Sequence, residues 1–336
     1  MPPSRKKSKK QLKAANRKST HRTPRATNSK EPRVRTLFFG TSEFAVPSFR
    51  AVAQATDLAG VVTQPDRPAG RGHKLTPTPV KKAALEYGVR IYEPASMASF
   101  VQEHAGESYD LFALASYGKI LPAAVLEMPS FGALNVHPSL LPKYRGATPI
   151  QTALCNGDTQ TGVTIMMMDA GMDTGPIVLQ ERVAIMPLEN YGALHDRLAQ
   201  HGADMLAMAI ERAKNKNLRS RPQTGDPSVT KTIKKEDLRI DWSSRADTIV
   251  NMIRAYSPRP AARAELCGIP AKIFAAQRVA WPMSQEPARP GHIALSAGLQ
   301  MMTVKCGDDA VAILELTSPG KPRESGYEFY LREIRE

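Results

Sequence analysis

Asn135 and His137 stand two residues apart in Asn135-Val136-His137-Pro138-Ser139-Leu140-Leu141-Pro142, and Asp173 follows in Met172-Asp173-Thr174-Gly175. An amide, an imidazole and a carboxylate form a set that can stabilise a tetrahedral oxyanion and move protons around it. The alternation through Gly132-Ala133-Leu134-Asn135-Val136-His137 reads as a buried strand ending in polar residues. Side chains two apart leave the same face of a strand, so Asn135 and His137 share one. Pro138 ends the pairing, because proline has no amide hydrogen for the ladder. Polar groups at the carboxyl end of a buried strand in an open α/β sheet mark the usual crevice for ligands. On residue type alone, Asn-x-His also fits a satisfied polar pair, and Asp173 among glycines also fits a turn.

The elements that must hold these residues follow a βαβ pattern from residue 33. Strands are expected over 34–39, 58–63, 109–115, 134–137, 162–168 and 177–185. Helices are expected over 44–54, 79–87, 149–156 and 191–214, with Ser42 and Thr148 as caps and Pro149 at a first helical position. Such alternation argues for a doubly wound, mostly parallel sheet. The first turn, Gly40-Thr41-Ser42-Glu43-Phe44-Ala45, is not a GxGxxG loop, so it reads as structural. Around 215–232 the periodicity fails and Lys, Arg, Pro, Gly and Ser accumulate. Beyond it lie a helix over 246–255 and short strands over 262–266, 271–279, 291–295, 299–305 and 311–316. Five short strands suit a small barrel of the oligonucleotide-binding kind. The expected organisation is an arm over 1–32, an α/β domain over 33–214, a linker over 215–236 and a second domain over 237–336.

A chain of 336 residues with 42% hydrophobic content can bury two cores. No apolar run approaches the roughly 18–20 residues of a membrane span, and no signal-peptide core is visible. A soluble protein with no membrane partner is therefore expected. Cys155, Cys267 and Cys306 form no CxxC pair, which suggests reduced thiols, a cytoplasmic setting and no metal site. The net charge of +14 is uneven: residues 1–36 hold 13 basic residues against Glu31, or +12, leaving +2 for the remainder. So polar an arm cannot offset its ordering entropy, and disorder is expected there. A polycation suits phosphate backbones through counterion release, although a solubilising extension has the same composition. An organellar presequence fits less well, since Leu12 is the one large apolar residue of a Lys-dominated run.

From about Val34 to near its end the chain resembles the methionyl-tRNA formyltransferases, within the folate-dependent formyltransferase superfamily. The segments that carry the likeness include Phe39-Gly40-Thr41-Ser42-Glu43-Phe44-Ala45-Val46-Pro47 and Thr63-Gln64-Pro65-Asp66-Arg67-Pro68-Ala69-Gly70-Arg71-Gly72. They also include the Asn135–Pro142 octet with Arg145-Gly146-Ala147, Gly162-Val163-Thr164-Ile165, Asp173-Thr174-Gly175 and Arg239-Ile240-Asp241-Trp242. The resemblance implies a Rossmann-like catalytic domain and a smaller OB-like β-barrel domain that binds tRNA. It implies Asn135, His137 and Asp173 as catalytic residues, and Ser139, Leu140, Leu141 and Pro142 as the lining of the folate site. It further implies 10-formyltetrahydrofolate as formyl donor, no metal, and methionine on initiator tRNA as acceptor. Asn135 and His137 would meet the developing oxyanion, while Asp173 would hold the imidazole and relay the amine's proton.

The loop over 65–82 is where the tRNA enzymes are expected to differ from relatives acting on small molecules. Arg67, Arg71, Lys74, Lys81 and Lys82 there could follow a phosphate backbone. His73 stands where the family usually carries lysine. Ser257-Pro258-Arg259-Pro260-Ala261 lacks the family's usual Trp and Gly, and Val229-Thr230-Lys231-Thr232-Ile233 lacks its usual Tyr. Two other readings remain: a formyl-folate hydrolase or small-amine transferase, and a noncatalytic RNA-binding relative. With no coiled coil evident, a monomer is the expected state.

Overall fold

The computed structural model describes residues 33–69, 74–281, 288–296 and 300–334. The basic arm over 1–32, together with Arg71 and His73, lies outside the described residues. In the first half the elements are β1 (Arg35–Gly40), α1 (Ala45–Ala55), β2 (Asp57–Val62), β3 (Arg67–Ala69), β4 (Lys74–Thr76), α2 (Pro79–Tyr87), β5 (Ile91–Tyr92), α3 (Met97–Glu103), β6 (Leu111–Ala115), α4 (Ala123–Leu126), β7 (Ala133–His137), α5 (Pro149–Cys155), β8 (Gln160–Met167), β9 (Ile177–Ala184) and α6 (Tyr191–Lys214).

Seven of these strands form one sheet in the order β5-β2-β1-β6-β7-β8-β9. The pairs from β5 to β7 are parallel, and β8 and β9 add antiparallel pairs at one side. The near-continuous apolar runs of β1 and β6 follow from burial on both faces. Along β7, Leu134 and Val136 join the larger core with α1 and α6, while Ala133 joins Phe39, Phe100 and Phe112 on the other face. Asn135 and His137 therefore leave the face opposite α6. Gly202 of α6 permits close helix packing here, because a Cβ would meet Val136 Cγ1 at 2.6 Å. From β1 the chain moves outward through β2 to β5 and then crosses back to β6 on the other side of β1. The strand order therefore reverses between β1 and β6, and the crevice opens at their carboxyl ends.

Several local expectations are corrected. Neither expected side-chain cap forms: α1 starts after Phe44, and the Ser42 hydroxyl donates to Ser116 Oγ at 2.7 Å. The Thr148 hydroxyl instead donates to the Lys231 carbonyl at 2.8 Å. Within the basic loop, β3 and β4 pair as a short antiparallel hairpin. The sequence reading also passed over β5, α3 and α4. In α3 the signal was present, since Ser96 caps the helix reciprocally with Ser99.

The second half contains α7 (Ala246–Tyr256), β10 (Ala262–Leu266), β11 (Ile269–Val279), β12 (Ile293–Ser296), β13 (Met301–Lys305), β14 (Ala310–Thr317) and α8 (Gly326–Glu333). Its five strands form an antiparallel sheet in the order β10-β11-β14-β13-β12, the strand number expected of the small barrel. Among the described residues β10 and β12 stand at its edges. Helix α8, absent from the sequence reading, opens on a Ser325–Glu328 capping box. Helix α7 packs against α5 as well as β11, and one apolar cluster runs from Val34 through Leu154 to Ile273 and Phe329. The two sheets thus share a continuous core. No helix among the described residues is long and apolar enough to cross a membrane.

Candidate active site

His137 ends β7 with its Nε2 2.9 Å from the Tyr144 carbonyl oxygen. A carbonyl only accepts, so Nε2 carries the hydrogen and donates it. The remaining nitrogen, Nδ1, faces Asp173 Oδ2 at 3.6 Å. Asp173 Oδ2 accepts from Gly146 N at 2.7 Å, which fixes the carboxylate while leaving Oδ1 uncommitted among the described residues. Asn135, one pleat below, is half-buried, and its carboxamide bonds to no described residue. The expectation that His137 donates to an oxyanion thereby narrows. With Nε2 engaged, Nδ1 donates only when the ring is an imidazolium; in the neutral ring Nδ1 accepts a proton.

The loops impose this geometry through unusual backbone. Asp173 lies at φ +54 and Tyr144 at φ +60, conformations that non-glycine residues hold only when their surroundings fix them. Thr174 Oγ1 and Gly171 N both donate to Asp169 Oδ1, at 2.7 and 3.1 Å, which closes the Asp173 turn. Gly175 is required, since a Cβ there would sit 1.8 Å from the Met167 carbonyl. Tyr144 is held at its other end, where its hydroxyl donates to Asp158 Oδ2 at 2.7 Å. Burial pushes the Tyr144 hydroxyl above the ordinary tyrosine range, with the Asp158 contact acting in the same direction.

The octet's second half is built inward. The Ser139 hydroxyl donates to the Lys143 carbonyl at 2.6 Å, and the Ser139 carbonyl accepts from Thr164 Oγ1 at 2.7 Å. Leu141 is buried with Met166 and Ile177, and its carbonyl accepts from Gln180 Nε2 at 2.9 Å. Leu140 faces a cleft of about 260 Å³ that it shares with Lys143, Tyr144 and Arg182. The Pro142 carbonyl accepts from Ser228 N at 3.2 Å. These bonds tie the segment between His137 and Tyr144 to Lys143, β8, β9 and the linker.

Two groups that the sequence reading missed lie at the same crevice. The first is the loop after β6, whose Tyr117 carbonyl accepts from Thr41 Oγ1 and Gln64 Nε2 at 2.9 and 2.8 Å. There Gly118 is at φ +78 and Ile120 is 82% exposed. Its position beyond a fully buried strand was the available signal. The second is the linker. Arg145 N donates to the Ser228 carbonyl at 2.8 Å, Thr230 N returns a bond to the Arg145 carbonyl at 2.7 Å, and Tyr144 N donates to Ser228 Oγ at 2.9 Å. Gln223 reaches the Asp173 turn, donating from Nε2 to the Asp173 and Gly175 carbonyls at 2.8 Å each.

The basic residues assigned to the acceptor have varied settings. Arg67 is exposed on β3 and donates to Gln64 Oε1 at 2.6 Å, which joins the hairpin to the crevice loop. Lys74 on β4 and Lys82 on α2 are exposed. Lys81 is 2.8 Å from both Asp66 Oδ1 and Glu93 Oε2. Hydrogen bonding to Asp66, then to Glu93, holds its ammonium above the usual lysine range. Among the described residues no cluster of three His, Cys, Asp or Glu side chains is arranged to hold a metal ion.

Comparison with known proteins identifies the frame around this geometry. Residues 33–210 match the formyl transferase family, and residues 232–333 match the formyl transferase C-terminal domain. Over 300 residues the chain is 42% identical to the methionyl-tRNA formyltransferase of Aromatoleum aromaticum, spanning 88% of this chain and 93% of that one. The chain belongs to the methionyl-tRNA formyltransferase family. The family's enzyme from Neisseria meningitidis is likewise 42% identical, over 87% of this chain and 95% of its own. Among solved structures, the N-formyltransferase of Helicobacter canadensis in complex with folinic acid and dTDP-3-aminofucose shares the fold at TM-score 0.62 and 17% identity, covering 83% and 98% of the two chains. HypX of Aquifex aeolicus in complex with tetrahydrofolic acid follows at TM-score 0.59 and 15% identity, over 89% of this chain. This formyltransferase chain spans about half of HypX, 47% of its length.

Proposed function

We propose that this enzyme transfers the formyl group of 10-formyltetrahydrofolate to the α-amino group of methionine carried on initiator tRNA. The carrying observation is identity of about two residues in five to methionyl-tRNA formyltransferases across nearly their whole length. The His137–Asp173 pair, with Nδ1 beside the carboxylate and able to take up a proton, gives that membership a mechanism. A folate donor is supported by folate-type ligands in the two solved structures of the same fold. The residues here suit such a donor: the Asn135 carboxamide is available, and Ile120 offers an exposed apolar surface on the crevice loop. Ser139 to Pro142 form the floor of that site in this reading.

In the transfer a C–N bond forms between the acceptor amine and the formyl carbon. The bond from that carbon to the folate nitrogen breaks. One proton leaves the amine and one reaches the departing nitrogen. Asn135 donates to the formyl oxygen as it gains charge, an interaction of a kind typically worth about 2.7–4 kcal/mol in the transition state. His137 moves the proton at Nδ1 while Nε2 stays bonded to the Tyr144 carbonyl. Asp173 Oδ2 stabilises the imidazolium that results.

The basic segment over 65–82, with Arg67, Arg71, Lys74 and Lys82, meets the acceptor's phosphates in this reading, and the C-terminal sheet holds the rest of the tRNA. Lys81, occupied by two carboxylates, shapes that loop. The enzyme acts as a monomer in the cytoplasm and uses no metal. The test offers formyl-folate with methionyl initiator tRNA, uncharged tRNA or small amines. Transfer to the charged tRNA is expected; transfer to small amines only, or to no acceptor, would overturn the reading.

A further inference from the structure

We propose that Gln223, although it lies in the interdomain linker, is a positioning residue for formyl transfer. Its side chain ties the Asp173 turn to the loop that carries Tyr144, and so sets how Asp173 meets His137. A primary carboxamide has two N–H donors and one oxygen with two lone pairs. In Gln223 all four are used. Nε2 donates to the Asp173 and Gly175 carbonyls at 2.8 Å each. Oε1 accepts from Arg145 Nε and Nη2 at 3.2 and 2.7 Å. Arg145 is flanked by Tyr144, whose carbonyl anchors His137, and by Gly146, whose N–H anchors Asp173. One side chain therefore spans the two loops that present the two partners.

The chemistry of the bridge is restrictive. A carboxylate has no hydrogen for the two carbonyls, and an ammonium has no lone pair for the guanidinium. The linker's main chain is itself anchored next to the site, with Arg145 paired to Ser228 and Thr230. The left-handed backbone of Asp173 gains from such support, because φ +54 costs any residue with a Cβ some free energy, although less for aspartate than for most. Without Gln223, the direct tie from loop to loop reduces to the Gly146–Asp173 bond, and the carboxylate is free to drift from Nδ1. Displacements near 1 Å at a catalytic group cost on the order of 10²-fold in rate.

The inference rests on the formylation reading and is tested in the full chain with charged initiator tRNA. Gln223→Ala is expected to lower kcat about 10- to 100-fold while KM for tRNA and donor stay within about twofold, the signature of lost positioning rather than lost binding. Gln223→Glu, which keeps the length and the Arg145 partner, should be at least as slow. Gln223→Met preserves volume and repeats the measurement if the alanine variant melts early. In an Asp173→Asn background, single-turnover rates should show Gln223→Ala adding less than about twofold, because residues acting as a unit are not additive. Wild-type kcat in Gln223→Glu, or the full Gln223→Ala loss retained beside Asp173→Asn, would overturn the proposal. A wild-type enzyme that formylates no charged tRNA would instead overturn the reading beneath it.

Discussion

At the mouth of the crevice, His137 and Asp173 have side chains only 5% and 16% exposed, and each is pinned by a main-chain group of the 144–146 loop. On the loop after β2, Arg67, Lys74 and Lys82 are exposed, and Lys81 alone is drawn into a pair of carboxylates. Both regions sit beyond the carboxyl ends of strands of the same sheet, β7 and β2, yet they are built on different terms. Proton transfer depends on sub-ångström placement, so the first region uses backbone bonds, left-handed residues and a required glycine. Attraction to a polyanion depends on charge that counterions can leave, and it tolerates long, mobile side chains.

That contrast can be broken from either side. His137→Ala and Asp173→Asn should each remove most turnover, on the order of 10³-fold or more, with tRNA affinity nearly unchanged; equilibrium binding beside steady-state rates checks it. Wild-type kcat in either variant would reject the pair. Asn135→Ala should cost about 10²–10³ in kcat, the range for a single oxyanion donor. The combined Arg67→Ala and Lys74→Ala variant should do the opposite. It keeps kcat, weakens tRNA binding and flattens the log–log salt slope by about 1.4–1.8, at roughly 0.7–0.9 per phosphate contact. An unchanged slope would remove both residues from the interface.

Deleting residues 1–32 should raise KM for charged tRNA at moderate salt and leave kcat alone, an effect that disappears at high salt; no change at any salt would show the arm idle. Smallest of all is Lys81→Met, expected to leave tRNA binding in place and to lower stability by no more than about 1 kcal/mol. Because the hydrogen bonds to Asp66 and Glu93 hold the folded ammonium above the ordinary lysine range, this contribution is whole below that range and fades as pH rises through the raised value. Alkaline melts of the two proteins should therefore converge.

Legibility followed the range of the interaction. Alternation alone put Asn135 and His137 on one strand face, and α2 and α6 were readable to the residue from their periodicity, Thr78 and Asn190 capping them in the structure. Asp173 came from the resemblance, because its position depends on Gly146, 27 residues away, and on a backbone angle that no pattern encodes. Gln223, Ser228 and Thr230 looked like parts of a mere connector. Their bonds run to loops about fifty to ninety residues earlier, and a segment without periodicity leaves no trace of such partners. The partners of Lys81 are hidden for the same reason, since its charge is legible in the sequence and Glu93's approach is not.

The linker's course also bears on how such enzymes can be recombined. Residues 211–231 fall between the two matched family regions, so a chimera joined at either boundary would treat them as disposable spacer. They carry Gln223, Ser228 and Thr230, which brace the catalytic loops. A hybrid that takes its first half from one relative and this stretch from another would inherit mismatched scaffolding beneath an intact Asn-His-Asp set. The unit to transplant runs through residue 231.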